Sequence, residues 1–267
     1  MSRLPTYFLS HGGGPWPWMR DEFGQAYDAL DASLRDIPRQ IGGKPKAVLA
    51  ITAHWEGRDF MISSGTKPPM IYDYGGFPPH TYAIRYDAPG DPALAARVQA
   101  LLRDAGHEAV LDDARGFDHG TFSALYPVFP EADVPIVQLS LRQGLDPAEH
   151  VAAGRALAAL RGEGVLIVGS GLSYHNLRAF NAAGAAASHA FDDWLRATMA
   201  LPAQERTAAL LEWERAPAAR QAHPREEHLL PLMVALGAAE DDAATVVYHE
   251  EDFFGALAVS SFRFGQA

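Results

Sequence analysis

The sequence predicts an α/β protein, a mostly parallel sheet covered by helices on both faces. Three observations predict it. Short unbroken apolar runs recur and end in glycine or polar residues, as central strands buried on both faces do. Helical patterns lie between them, so strand and helix alternate along the chain. The 267 residues, 48% hydrophobic and 21% charged, show no shift in composition that would mark a second unit. Residues 1–267 therefore read as one domain, long enough to bury its own core.

The first strand is 6–9, Thr-Tyr-Phe-Leu, running straight into Ser10-His11-Gly12-Gly13-Gly14-Pro15. The second is 47–52, followed by Ala53-His54-Trp55. Residues 136–140 form a third and 165–168 a fourth, the latter ended by a Gly169-Ser170-Gly171 turn. Asp91-Pro92 opens a helix that runs through Leu102, with proline at the first turn. Asp146-Pro147 opens another, to about Leu160. Residues 191–200 and 205–214 read as amphipathic helices, and the alanine-rich 182–187 as a helix approach or link. Residues 245–248 and 256–264 read as late strands. Pro68, Pro69, Gly75, Gly76, Pro78 and Pro79 mark a long loop, and long loops in compact domains are often functional. No repeat or low-complexity stretch interrupts this order.

Composition excludes several classes of function. The chain has no cysteine, which removes disulfides, thiolate ligands and a cysteine nucleophile, so a transition metal must sit on nitrogen and oxygen. A formal net charge of −11 disfavours nucleic acid and anionic membranes as partners. No apolar run approaches the roughly 18 residues of a membrane span, and the first thirty residues lack a signal-peptide pattern. The expected location is the cytoplasm. A homo-oligomer is compatible with the sequence, which marks no interface.

Eleven histidines are present, and their placement matters more than their number. His11 follows the first strand, His54 the second, and His175 the fourth. In open α/β sheets the ligand crevice lies beyond the carboxyl ends of the strands. If these strands are parallel neighbours, the three imidazoles project into one region, and imidazole is a common metal ligand. Any one of them alone is more simply a hydrogen-bonded surface residue. His223 and His228 are five apart, about 500° on a helix, so they would not share a face. Pro231 fits the first turn of a helix running toward Gly237, which puts His228 just before an apolar run and makes it the inward member of the pair. His119 stands beside Asp118 in a Gly116-Phe117-Asp118-His119-Gly120 segment, where an exposed turn is the plain alternative. His80, His107, His150, His189 and His249 carry no supporting pattern and read as surface residues.

Taken together, Ser10-His11-Gly12, Ala53-His54-Trp55, Tyr74-Gly75-Gly76-Phe77-Pro78, Gly116 to Gly120, Val137-Gln138-Leu139-Ser140, Gly169 to Leu177 and Glu227-His228-Leu229-Leu230-Pro231 resemble the class III extradiol ring-cleaving dioxygenases of the LigB superfamily. Within it they are similar to the DOPA dioxygenase subgroup. The likeness spans nearly the whole chain. It implies a three-layer α/β/α sandwich with a mixed, mainly parallel central sheet. It implies one divalent metal ion on His11, His54 and His228, with His175 as catalytic acid/base or further ligand and His119 as a second active-site histidine. Fe(II) is the ion expected for ring cleavage, with Zn(II) as an alternative occupant. The implied partners are a small catecholic substrate and O2. Two departures stand out. Gly13 replaces a serine common in the first motif, and His228 stands where better-studied members carry a carboxylate, so Glu227 is an alternative ligand.

On this resemblance, His175 removes a catechol proton and His119, or His175 returning its proton, acts as the acid in O–O cleavage. Tyr174 and Trp55 are candidates for an aromatic pocket, with core packing the simpler reading, and Arg178 for pairing with a substrate carboxylate. Two other classes compete. A zinc hydrolase of amide or ester bonds would use the three histidines and Glu227 as base. A Memo-like binding protein would keep the site without turnover, which the presence of both His119 and His175 argues against. A serine hydrolase lacks its full elbow around Ser170.

Overall fold

The computed structural model describes residues 3–266. Eight strands form one sheet: β1 (Thr6–Ser10), β2 (Ala47–Gly57), β3 (Phe60–Ser63), β4 (Ala109–Asp112), β5 (Ile136–Arg142), β6 (Val165–Gly171), β7 (Ala244–Phe253) and β8 (Leu257–Phe264). Their order is β4-β3-β5-β2-β6-β1-β8-β7. The central four, β5, β2, β6 and β1, run parallel. At the edges β3 pairs antiparallel with β5, and the β7–β8 hairpin packs antiparallel against β1. The sheet is thus mixed and mainly parallel, as expected.

Side-chain alternation along the central strands feeds a separate core on each face. Val48, Ala50, Leu166 and Val168 pack with Phe122, Leu125, Phe191 and Leu195. Leu49, Ile51, Val165 and Ile167 pack with Val98, Leu102, Leu157 and Val234. The first layer of helices includes α1 (Asp28–Arg35), α3 (His119–Val128) and α5 (Ala185–Met199). The second includes α2 (Pro92–Asp104), α4 (Pro147–Leu157) and α7 (Leu230–Ala238), while α6 (Ala203–Leu211) follows α5 in the chain. Asp91 and Asp146 cap α2 and α4 through their side chains. Among the described residues no helix is long and apolar enough to cross a membrane.

Four expectations need correction. Gly169-Ser170-Gly171 is no turn but the last three residues of β6. A Cβ on Gly171 would meet the His228 carbonyl at 2.1 Å, so glycine here serves close approach of the chain that leads into α7. The second strand does not stop at Thr52. It continues to Gly57, with a register shift against β5 between Ile51 and Glu56. Strands β3 and β4 and the helix starting at His119 were not expected, because they are short or lack a polar face. His150 and His223 are fully buried. His150 hydrogen-bonds the backbone at Asp146 and Arg142, and His223 the Ser173 carbonyl.

Candidate metal centre and active site

The three parallel strands that lead to His11, carry His54 and lead to His175 are immediate neighbours in the order β2-β6-β1, so the crevice inferred from their carboxyl ends exists. His11 leaves β1 with its N–H on the Gly171 carbonyl at 3.0 Å. The backbone then turns through Gly12 at φ +73, a conformation that costs glycine little, and Trp16 Nε1 donates to the His11 carbonyl at 2.7 Å. His54 stands in the irregular stretch of β2, where that strand has parted from β6. His228 immediately precedes α7, whose first turn holds Pro231, and its carbonyl accepts from Leu172 N at 3.1 Å. His119 is the first residue of α3, capped by Asp118. His175 is fixed by its N–H on the Ala222 carbonyl at 3.0 Å.

All five imidazoles line one cavity of about 790 Å³. His54 Nε2 lies 3.3 Å from both His11 Nε2 and His228 Nε2. A neutral imidazole nitrogen carries one proton or one lone pair, so hydrogen bonding cannot satisfy both contacts. His228 Nδ1 faces Glu227 Oε1 at 3.0 Å and so holds the ring proton, which leaves its Nε2 bare. Burial and, after it, the neighbouring imidazoles hold His11, His54 and His228 well below the usual histidine range, so protonation does not relieve the contact. A cation does. The two 3.3 Å separations match an edge of a tetrahedron with metal–nitrogen bonds of about 2.0–2.1 Å, and one ligand nitrogen from each of the three residues lies within 4.8 Å of the others. The residues therefore fit a divalent metal ion.

Two carboxylates flank this cluster. Glu227 Oε1 takes hydrogen bonds from His228 and from His175 Nδ1 at 3.1 Å, and the His175 and His228 rings stack at 3.3 Å between centroids. On the other side Asp73 Oδ1 takes His119 Nδ1 at 2.9 Å and the His119 backbone N–H at 3.0 Å, while its Oδ2 lies 3.4 Å from His54 Nδ1. Burial alone would push both carboxyls up. Hydrogen bonds from His175 and His119, respectively, outweigh it and hold both below the ordinary carboxylate range. Each carboxylate thus ties one member of the three-nitrogen cluster to one histidine outside it, and orients both rings.

The catalytic LigB subunit of aromatic ring-opening dioxygenase, as a family model, matches residues 5–263. The chain belongs to the LigB family. It is 39% identical to the dioxygenase tasH of Hapsidospora irregularis, over 94% of this chain and 83% of that one. It is 37% identical to the 4,5-DOPA dioxygenase extradiol of Beta vulgaris, over 97% and 96%, and 34% identical to the Escherichia coli protein of the same name, over 99% and 96%. The crystal structure of an uncharacterized Escherichia coli K12 protein superposes with a TM-score of 0.80 at 30% identity, covering 98% of this chain and all of that one. The LigB chain described here is an extradiol ring-cleavage dioxygenase.

Every histidine singled out for the site reaches it. Asp118, the sequence neighbour of His119, does not touch the imidazole. It caps α3 at Thr121 N and binds Thr52 and Arg115. The His119 ring is held instead by Asp73, from the long glycine- and proline-rich loop. The loop was legible as functional, but nothing marked Asp73 within it. Trp55 and Tyr174 are buried and outside the cavity lining, with Arg115 lying over the Trp55 ring. Arg178 lines an adjoining groove rather than the cavity. Arg225 and Glu56, unmarked in the sequence, do line it.

Proposed function

We propose that this chain opens the ring of a catechol at one divalent metal ion held by His11, His54 and His228, with Fe(II) as the working ion and Zn(II) as a competing occupant. The convergence of the Nε2 atoms of three buried imidazoles beneath a cavity carrying two more histidines is the observation that supports this most. Such a metal would supply Lewis acidity toward the catechol hydroxyls, and Fe(II), unlike Zn(II), would also relay electrons from the catechol to dioxygen.

The protein's own groups supply the proton traffic. His175 donates its Nδ1 proton to Glu227, which leaves Nε2 as the acceptor for a catechol hydroxyl proton. Glu227, already ionised, stabilises the imidazolium that results. His119, held the same way by Asp73, presents its Nε2 on the opposite side of the cluster, where it takes up the second catechol hydroxyl proton and returns it as the ring opens. Both oxygen atoms of O2 end in the ring-opened semialdehyde. Glu227 Oε1 is committed to two imidazole N–H groups, which fits an orienting role and leaves that oxygen poorly disposed as a hydrolytic base or metal ligand.

The test is reconstitution of metal-free protein with Fe(II) or Zn(II) under nitrogen, followed by a catechol panel with and without air. Iron-dependent oxygen uptake with a yellow product is the expected result. Tight zinc binding with no oxygen uptake on any catechol would overturn the proposal and redirect it toward hydrolysis.

A further inference from the structure

The cavity has two unlike sides. The histidines and carboxylates occupy its floor, and rings form one wall. Phe254 packs edge-to-face on Tyr27, Phe23 and Phe180, with centroids 5.3, 6.0 and 5.9 Å away. It sits between β7 and β8 at φ +52 and is 38% exposed. A non-glycine residue in the left-handed region costs on the order of 1 kcal/mol. Glycine would remove that cost, so what the position gains from phenylalanine is the ring. Leu177, 71% exposed, lines the same cavity from the segment after β6. A strained, exposed phenylalanine and an exposed leucine at one opening are an apolar surface waiting for a partner.

The charges point the same way. Among the described residues lining the cavity, Arg225 is the only arginine or lysine. It forks onto Glu56 at 2.6 Å through both terminal nitrogens and lies 3.5 Å from Glu227. A substrate carboxylate would have to break that bidentate pair, in a cavity that already holds Glu56, Asp73 and Glu227.

We propose that the Phe23–Tyr27–Phe180–Phe254 wall receives the ring substituent of the substrate. The enzyme then prefers catechols bearing an uncharged alkyl or aryl chain over catechols bearing an amino-acid side chain. This rests on the catechol reading above.

Oxygen uptake by Fe(II)-loaded protein on catechol, propyl-substituted catechol and DOPA gives the order of kcat/KM. Calorimetry on Zn(II)-loaded protein gives binding without turnover. Propylcatechol should exceed DOPA by roughly tenfold or more in both, as burial of three alkyl carbons would provide. Phe254→Ala should lower the propylcatechol-to-catechol ratio of kcat/KM by roughly tenfold, chiefly through KM, with Leu177→Ala as a second probe of the same wall. DOPA equal or superior in both assays would overturn the inference. So would a ratio unmoved by either variant, or an Arg178→Ala variant that selectively loses DOPA. If no catechol consumes oxygen but propylcatechol still binds tenfold tighter than DOPA, ring opening fails and the substituent wall stands.

Discussion

Asp73 and Glu227 hold the histidine cluster from opposite sides, and they do so differently. Glu227 adjoins His228 in the approach to α7 and offers one oxygen to both of its imidazoles. Asp73 comes from a loop between β3 and α2 and divides its oxygens, one toward His119 and the other, at 3.4 Å, toward His54. The Glu227 side is also braced from behind, since His223 Nε2 donates to the Ser173 carbonyl two residues before His175, and Gly171 lies against the His228 carbonyl. Rigid backbone thus fixes one arm, while a side chain delivered by a loop fixes the other. The first arm should govern metal affinity and the second should govern turnover.

The largest effect should come from the nitrogen common to both contacts. His54→Ala should abolish stoichiometric metal binding by calorimetry and bring oxygen uptake to background. A variant that retained metal would break the three-nitrogen assignment. Next, His175→Ala and His119→Ala should keep the metal and lose roughly 10²–10⁴-fold in kcat. Loss of metal from His175→Ala would make that residue a ligand. The carboxylates should then separate. Glu227→Gln should weaken metal binding by about 10–100-fold, whereas Asp73→Asn should lower kcat with a smaller change in affinity. Equal effects on affinity would erase the distinction. Gly171→Ala pushes a methyl group into the His228 carbonyl, so thermal or denaturant unfolding should show a loss of about 1–3 kcal/mol, with Gly162→Ala, where nothing lies within 4 Å, as the control.

The smallest effect at neutral pH concerns His223, which burial pushes down to about 4. The unfolded chain takes up this proton below about 6.5, and the folded chain only near 4. Stability therefore falls as pH drops through that window, by on the order of 3 kcal/mol from this group. Acid unfolding of His223→Gln should show a correspondingly shallower pH dependence. An unchanged slope would mean that His223 is not held neutral.

Much of this site was legible because strand ends are legible. His11 and His54 follow or extend apolar runs that could only be buried strands, and Pro231 located His228 by marking the start of a helix. His175 was placed the same way, by the end of the fourth strand, and the family likeness gave it and His119 their roles. What sequence could not supply depends on distant partners. Asp73 meets His119 across 46 positions in the chain with no periodicity to announce it. His150 and His223 look like surface residues until the backbone carbonyls that satisfy them are in place. Gly169 and Gly171 read as a turn because close approach of α7 leaves no trace in the residues around them. Phe254 belongs to a hairpin far in sequence from every motif, and only the fold brings it to the cavity.

The order of strands also dictates when this centre comes into being. β1 and β2 do not touch each other, because β6 lies between them. A growing chain that has emerged only as far as α4 already contains His11 and His54, yet has nothing to hold them side by side. Residues 165–171 must be threaded into the gap first, and His228 follows 57 residues after that strand ends. On the proposed ligand set, metal capture thereby waits until His228 has been made, and a product stalled or truncated before it would lack one of the three nitrogens.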